Sequence, residues 1–249
     1  MITAKPGMCM VEMTDATRTF GANGNQTCAV RAVSLQVLQG ELLLLLGPSG
    51  SGKTTLLTMI GGLLKPTSGT VSLFGKEIDR YTARELQQIR ATRIGFVFQT
   101  FHLIDSLTVL ENVTLVLRFA GRQAAQAERQ AETLLERLHI GHLANKFPAT
   151  LSQGEKQRAA VARATANAPD LIIADEPTAS LETRQGLDII RLLREYAKEE
   201  NRSVIVASHD LRIVEFADRA LRIEDGILTS MNVAVQAQPP SRSLYAGAG

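Results

Sequence analysis

The 249-residue sequence has no tryptophan and few aromatic residues, namely three tyrosines and eight phenylalanines. Apolar residues make up 45% of the chain, so we expect an aliphatic core, large enough for one big α/β domain or two small ones. Only two cysteines are present, Cys9 and Cys28, without metal-ligand spacing. They predict free thiols, as in a reducing cytoplasm, and not a disulfide framework.

Long hydrophobic runs and a strong net charge are also missing. No apolar stretch approaches the roughly 20 residues that a transmembrane helix needs, and residues 1–7 lack the apolar region of a signal peptide. The net charge is only +2 and the basic residues are scattered, which argues against nucleic acid as a partner. We therefore expect any role at a membrane to come through a partner protein.

A glycine-rich segment follows a run of five leucines, Leu42–Leu46. The run predicts a strand buried on both faces, and the residues after the glycines suit a helix. The segment between has the P-loop pattern G-x-x-x-x-G-K-S/T and comprises Gly47, Pro48, Ser49, Gly50, Ser51, Gly52, Lys53 and Thr54. Its glycines permit tight turns, so that backbone N–H groups and the positive end of the helix point at an anion. The sequence therefore predicts a nucleotide-binding site.

Side chains at the end of the P-loop indicate the chemistry. Lys53 would reach the β- and γ-phosphates, and the Thr54 hydroxyl would bind Mg²⁺. Thr55, the next residue, is counted with the nucleotide-binding set. The alternative is a Gly/Ser-rich turn with a chance lysine, but strand, loop and Lys-Thr pair stand in the order that a P-loop requires.

A second apolar strand, predicted within residues 171–177, ends in two acids, Asp175 and Glu176. Adjacent carboxylates at the end of a buried strand are costly unless a positive group lies opposite, and Mg²⁺ on a phosphate would supply that charge. We interpret the segment as a Walker B motif. Asp175 would help to hold the metal, usually through water, and Glu176 would act as general base on the attacking water. A strand that simply ends in a polar turn is the weaker alternative.

Other candidates are uninformative when taken singly. Gln99 follows a predicted buried strand and is well placed to meet a ligand, although a surface-loop glutamine explains it equally. His209 follows another buried strand and could sense a γ-phosphate. Phe20 precedes a loop and by itself suits a strand core. Ser152 and Glu155 form a capping-box pattern, and the helix start that it marks could also be a second anion site.

The remaining pattern predicts alternating strands and helices, with a helical insertion between nucleotide-binding strands. Residues 231–249 predict a loosely ordered tail. The predicted elements are strands within residues 8–40, at 70–74, 94–98 and 203–208, helices at 82–93, 107–119, 123–140 and about 151–167, and a closing hairpin around residues 225–226.

Taken together, the motifs resemble the ATP-binding subunit of an ABC transporter over roughly residues 11–228. A P-loop is shared by many NTPases, whereas a signature helix shortly before Walker B is specific to this family. The motifs stand in the family's order: the P-loop, the Q-loop at Gln99, the signature at residues 151–155, Walker B at residues 171–176, the D-loop at residues 180–182 and the switch histidine His209.

The resemblance implies an α/β P-loop fold with a mixed, mainly parallel core sheet, an antiparallel β subdomain and an α-helical subdomain at about residues 100–167. We expect these parts to form one ABC ATPase domain, residues 8–230. ATP and Mg²⁺ are the implied cofactors. A second copy of the subunit is an implied partner, because two ATP molecules would be sandwiched in a head-to-tail dimer.

The same resemblance implies roles for single residues. Phe20 would stack on adenine, and Gln99 would contact Mg²⁺ and the attacking water. Ser152 and Gly154 would contact the γ-phosphate held by the other subunit. The implied catalytic residues are Glu176, His209, Gln99 and Lys53, and the implied metal-binding residues are Thr54, Gln99 and Asp175.

Two departures from the family pattern affect the dimer. The usual signature is Leu-Ser-Gly-Gly-Gln, and here Gln153 and Glu155 replace its first glycine and its glutamine. Glu155 would place a carboxylate near phosphates and could weaken the closed dimer. The D-loop ends in Glu182 where aspartate is usual, which puts the coupling between the two sites in doubt.

Segments around the motifs resemble a bacterial subgroup, the MacB/LolD/DevA type, which serves lipoprotein release, macrolide export and heterocyst glycolipid export. Its FtsX/MacB-like permeases transmit mechanical force. The resemblance implies such a permease as a partner, docking near residues 99–107. A periplasmic adaptor and a peripheral position on the cytoplasmic face of the inner membrane are implied as well. A cell-division-type ATPase that signals to a periplasmic hydrolase activator stays open as an alternative. A DNA-repair ATPase would need a long coiled coil after Gln99, and a translation factor would need two P-loops.

Overall fold

The computed structural model describes residues 8–21 and 26–231. A six-stranded core sheet has the order β10-β9-β3-β8-β7-β6, in which all pairs are parallel except the antiparallel edge pair of β9 and β10. This is the mixed, mainly parallel sheet that the motifs predicted. Its strands are β3 (Leu42–Leu46), β6 (Ile94–Val97), β7 (Leu171–Asp175), β8 (Ser203–Ser208), β9 (Arg219–Glu224) and β10 (Ile227–Met231).

The all-leucine strand β3 has the burial that its composition predicts. Leu42, Leu44 and Leu46 belong to a cluster with the helices on one face of the sheet. Leu43 and Leu45 point to the other face and pack in a second cluster with the first helix and the antiparallel strands. Since successive side chains of a strand alternate between faces, a strand covered on both sides must be apolar throughout.

A four-stranded antiparallel sheet covers part of one face, with the order β2-β1-β4-β5. In β2 the residues Val33, Leu35 and Val37 are buried, while Ser34 and Gln36 are exposed, which confirms the predicted half-buried strand. Its strands are β1 (Cys9–Phe20), β2 (Thr27–Leu38), β4 (Ser68–Leu73) and β5 (Lys76–Glu77). Most of the loop predicted at residues 21–25 lies outside the described residues.

Six α-helices complete the described fold. They are α1 (Lys53–Ile60), α2 (Ala83–Thr92), α3 (Val109–Phe119), α4 (Ala124–Arg137), α5 (Gln153–Thr165) and α6 (Thr183–Glu199). Helices α2, α3 and α5 each begin with a capping box, so the Ser152–Glu155 pattern is confirmed. Helix α4 stops earlier than its apolar pattern predicted, because His139 has a left-handed backbone with φ of 58°. Within the described ranges, no helix is both long and apolar enough to span a bilayer.

The predicted tail at residues 231–249 falls outside the described residues except for Met231. That residue is not part of a loose segment, since it pairs with Ala220 at the end of β10.

The segment between β6 and α3 is held by Asn112, which is 1% exposed. Its Oδ1 accepts a hydrogen bond from the Ile104 N–H at 2.8 Å. Its Nδ2 lies within 3.1 Å of the carbonyl oxygens of Ile104 and Leu107 and 2.9 Å from that of Thr108. One buried amide thus satisfies the backbone of a loop that has no regular structure of its own.

We expect Asn112→Ala to destabilise the protein by about 2–4 kcal/mol, because it leaves buried backbone groups unpaired and opens a small cavity. Urea unfolding would measure the change. Exposed Glu132 on α4 offers a control, and Glu132→Ala should stay within about 0.5 kcal/mol of the wild type. Equal stability of the two variants would contradict the role given to Asn112.

Candidate nucleotide-binding site

Four sequence-predicted site segments begin where parallel strands of the core sheet end. The P-loop follows β3, Gln99 follows β6, Glu176 follows β7 and His209 follows β8. The carboxyl ends of neighbouring parallel strands lie along one edge, which is where open α/β sheets bind ligands. Side chains more than a hundred residues apart in the chain can therefore meet there.

The P-loop leads into α1 with no side-chain cap from the described residues and with no acidic residue in the first turn. Gly52 occupies the N-cap position with φ of 105°, in the left-handed region. No side chain of the described residues therefore caps the first N–H groups of α1, which stay available at the positive end of its dipole. This arrangement suits an anion such as a phosphate.

Close backbone contacts restrict the loop to glycine at two positions. A Cβ on Gly47 would lie 2.2 Å from the Ile223 carbonyl oxygen, and one on Gly52 would lie 2.2 Å from that of Ala29. Gly50 differs, since its φ is +80° but a Cβ there would meet nothing within 4 Å. Glycine at position 50 is thus required only by its left-handed backbone. At position 52, glycine is required by the left-handed backbone and also because a Cβ has no room there.

Lys53 is buried, with 6% of its side chain exposed, and its charge is compensated inside the site. The Nζ donates to the carbonyl oxygens of Gly47 at 2.7 Å and Pro48 at 3.0 Å. It also lies 3.3 Å from Oε1 of Glu176. The ammonium group is thus held against the P-loop backbone and faces the Glu176 carboxylate.

Thr54 and Asp175 are in direct contact, because the Thr54 hydroxyl donates to Oδ2 of Asp175 at 2.7 Å. Among the described residues the other carboxylate oxygen, Oδ1, is buried without a hydrogen-bond partner. Burial raises the pKa of Asp175 above its ordinary value, and the nearby Glu176 adds to the rise, although the Thr54 hydrogen bond opposes it. A hydroxyl beside an unpartnered carboxylate oxygen is an oxygen donor set that fits Mg²⁺, which is usually held by one or two carboxylates together with phosphates.

Glu176 joins the Walker B strand to the switch histidine. Its backbone N–H donates to the Ala207 carbonyl at 2.9 Å. Its Oε2 lies 3.0 Å from Nδ1 of His209, while Oε1 faces Lys53. The residue has φ of 47°, a strained value for a side chain of this kind, and nothing in its local sequence predicted this.

Among the described residues, the remaining predicted side chains form no hydrogen bond or ion pair with this cluster of contacts. Gln99 is exposed in the turn after β6. Phe20 ends β1, is 41% exposed and has the Arg18 guanidinium 4.8 Å from its ring centroid. Ser152 donates its hydroxyl to Glu155 at 2.8 Å, within the capping box.

Gly154 lies against α6, where a Cβ would come 3.0 Å from Oε1 of Gln185. The structure thus gathers Lys53, Thr54, Asp175, Glu176 and His209 in one place. The residues Phe20, Gln99, Ser152 and Gly154 do not take part in these contacts.

Sequence reasoning missed two groups around the site. Gln157 on α5 donates to the Pro177 carbonyl, next to Glu176. Arg212 donates to Asp210, beside His209, and to the Thr183 hydroxyl at the start of α6. Neither belongs to a motif, and only the tertiary contacts identify them.

A P-loop on a central parallel strand, with two acids and a histidine at the same edge, defines a P-loop ATPase domain. The chain belongs to the ABC transporter family, whose model matches residues 30–179. It is therefore an ATP-binding domain whose ATPase activity is coupled to transport.

Two relatives align with most of this chain and with nearly all of their own length. A putative hemin import ATP-binding protein HrtA of Staphylococcus haemolyticus is 39% identical over 221 residues, covering 87% of this chain and 97% of that protein. The ABC transporter ATP-binding protein MJ0796 of Methanocaldococcus jannaschii is 40% identical over 221 residues, covering 87% of this chain and 94% of its own length.

Solved structures confirm the fold class. The dimeric post-hydrolysis structure of the ATP-binding cassette MJ0796 bound to ADP and Pi has a TM-score of 0.82 and 36% identity, over 90% of this chain and 99% of that one. CbiO1 of Clostridium perfringens, part of the cbiONQ transporter complex, has a TM-score of 0.79 and 28% identity, over 90% of this chain and 88% of that one.

We expect Gly52→Ala to lower stability by about 2–4 kcal/mol, because its Cβ would strike a backbone oxygen as well as strain φ. Nucleotide affinity should fall with it. Gly50→Ala is the matched control and should cost only about 1–2 kcal/mol, the penalty of a left-handed backbone. Thermal melting with and without nucleotide would compare the two variants. Equal losses of stability in the two variants would show that the contact with Ala29 does not restrict the loop.

Proposed function

We propose that this chain is the ATP-hydrolysing subunit of a bacterial ABC transporter and that it works as a head-to-tail dimer. The observation that carries the proposal is the position of the Glu176 carboxylate, between the Lys53 ammonium and the His209 ring. A carboxylate at the end of a core strand, facing a P-loop lysine, is placed to act as a base on a water that attacks a γ-phosphate.

In this mechanism the chain's own groups bind and orient the triphosphate. The N-terminus of α1 and Lys53 neutralise phosphate charge, and Glu176 takes the proton of the attacking water. His209 orients the Glu176 carboxylate through its Nδ1 contact. Thr54 and Asp175 would hold Mg²⁺, which when bound neutralises charge that develops on the β- and γ-phosphates.

The second half of each site would come from the partner copy. The exposed start of α5 offers Ser152 and the half-buried Gly154, which we propose contact the γ-phosphate of the opposite nucleotide. That the similar cassette MJ0796 is dimeric with ADP and Pi bound supports a dimer of this chain. Phe20 would stack on adenine, and Gln99 would reach the metal and the water once the dimer closes.

We expect Glu176→Gln to trap an ATP-bound dimer, because the amide can still pack in the site but cannot accept the proton of water. Size-exclusion chromatography with ATP and Mg²⁺ should show the dimer, and phosphate release should fall by about 100-fold or more. Lys53→Ala is the paired control, and it should lose nucleotide binding or turnover and remain monomeric. A Glu176→Gln chain that hydrolyses ATP at the wild-type rate would refute the assignment of the base.

A permease would dock in a groove between the core sheet and the α-helical subdomain at about residues 100–167. The groove has a volume of about 640 Å³ and is lined by residues of α2, β6, α3 and α5, of the segment that joins β6 to α3, and of the segment after α5. Phe119, at the end of α3, is 73% exposed on its rim, and His102 and Ile104 also line it. Exposed apolar groups beside a cavity suit the burial of a partner's helix. We place the contact near residues 99–107.

We further propose that the permease is of the FtsX/MacB type, with a periplasmic adaptor, and that the chain acts at the cytoplasmic face of the inner membrane. Export or extraction of a lipid or lipoprotein is the proposed task. The HrtA relatives carry hemin in their name, which makes hemin a substrate to test beside lipids.

An affinity pull-down of the Glu176→Gln chain from membranes, with ATP and Mg²⁺, would identify the partner. A four-helix permease with a large external domain would support the proposed branch, and a hydrolase-activating partner would favour the cell-division alternative. Soluble proteins or DNA alone would refute the proposed permease partner and leave the ATPase intact.

We expect Glu155→Gln to tighten the ATP-bound dimer about fivefold, because it removes a negative charge near the opposite γ-phosphate. Sedimentation of the Glu176→Gln background at low and high salt would measure this, and the gain should shrink at high salt. Glu85→Gln removes the same charge from the capping box of α2 and is the control. A weaker dimer in the Glu155→Gln variant would show that the carboxylate is needed to hold Ser152.

A further inference from the structure

Gln157 is fully buried in α5, about one turn after the signature residues, with 0% exposure. Its Nε2 donates to the Pro177 carbonyl oxygen at 2.7 Å. Because a carbonyl oxygen only accepts, the amide nitrogen must face it. The remaining oxygen, Oε1, has no hydrogen-bond partner among residues 8–21 and 26–231. An unpaired buried acceptor lowers stability, and an apolar side chain of similar size would avoid the loss.

Pro177 lies in the turn that carries the general base. It directly follows Glu176, the residue with the left-handed φ of 47°. The turn continues through hydrogen bonds from Ala179 N–H to the Glu176 carbonyl at 3.2 Å and from Leu181 N–H to the Thr178 carbonyl at 3.1 Å. It therefore links the general base rigidly to the D-loop.

The turn is held from two sides. Helix α6 packs against it at Gly186, where a Cβ would lie 3.2 Å from Cβ of Thr178. Helix α5 is joined to it by the Gln157 hydrogen bond. A shift of α5 along its axis would thus pull on the backbone next to Glu176, whereas α6 supports the far end of the turn.

We propose that Gln157 is a positioning residue that couples the signature helix to the general base of the same chain. When Ser152 and Gly154 engage the nucleotide of the partner copy, the movement of α5 passes through the Gln157–Pro177 hydrogen bond to the strained backbone of Glu176. Each general base then responds to ATP in the opposite site, and hydrolysis is cooperative. The inference rests on the proposed dimeric ATPase.

Gln157→Met tests the coupling, because methionine keeps the length of the side chain and removes the donor. Gln130→Met is the matched control. Gln130 on α4 donates its Nε2 to the Ala166 carbonyl oxygen at 2.9 Å, a bond of the same kind that ends at the opposite end of α5 from the signature. Both variants would be compared with the wild type by thermal melting, by steady-state ATP hydrolysis and by binding of a fluorescent ATP analogue.

We expect Gln157→Met to lower kcat about tenfold, within the range for residues that act only through coupling. Its Hill coefficient for ATP should fall from about 2 towards 1, while KM and analogue binding stay close to the wild type. Gln130→Met should change neither kcat nor the Hill coefficient. In the Glu176→Gln background, Gln157→Met should still form the ATP-bound dimer, since the signature contacts remain.

Three results would overturn the coupling role. One is an unchanged kcat and Hill coefficient in Gln157→Met. Another is an equal loss of activity in Gln157→Met and Gln130→Met that follows the fall in their melting temperatures. The third is failure of Gln157→Met in the Glu176→Gln background to dimerise with ATP. Gln157→Leu supplies a second variant if Gln157→Met does not fold. A wild-type chain that shows no ATP hydrolysis would overturn the proposed function itself, which separates the two failures.

Discussion

Parallel pairing of β3, β8 and β7 is the constraint on which the rest of the site depends. In the observed register Leu46 lies beside Ser208, and Asp175 lies beside Ala207. All three strands therefore end at one edge. Asp175 is the last residue of β7, and the P-loop, Glu176 and His209 directly follow β3, β7 and β8. A slip of one residue would exchange the two faces of a strand and carry these groups out of reach of one another.

The apolar cores on both faces of the sheet keep that register. Alternate leucines of β3 enter different clusters, so neither face can be exposed without loss of burial. This rigidity supports the strained backbone at Glu176, which costs on the order of 1–3 kcal/mol and persists where the surrounding structure determines it. The ion pair with Lys53 and the backbone hydrogen bond to Ala207 help to hold the strained residue in place.

Polar hydrogen bonds connect α3, α5 and the segment after β6 near this edge of the sheet. Asn112 orders the segment between β6 and α3, and Arg163 of α5 donates to the Phe101 carbonyl at 2.8 Å in the same segment. Gln157 connects α5 with the turn after Walker B. These hydrogen bonds add to the apolar cluster in which α3, α4 and α5 pack against the core sheet, and their defined geometry suits them to transmit a small displacement.

The sequence by itself determined the structural features that depend only on residues close together in the chain. The leucine run predicted a strand buried on both faces, the glycines and Lys-Thr predicted the P-loop, and Ser152 with Glu155 predicted a capped helix start. Each of these features follows from local sterics, periodicity or a hydrogen bond that spans three residues.

Only the tertiary structure decided the contacts between distant segments. The Thr54–Asp175 hydrogen bond joins residues 121 positions apart, and the Gln157–Pro177 bond joins two secondary-structure elements. The left-handed backbone of Glu176 has no local cause in the sequence. Such features take their free energy from how both cores pack around the sheet, and that packing is a property of the whole chain and not of any one motif.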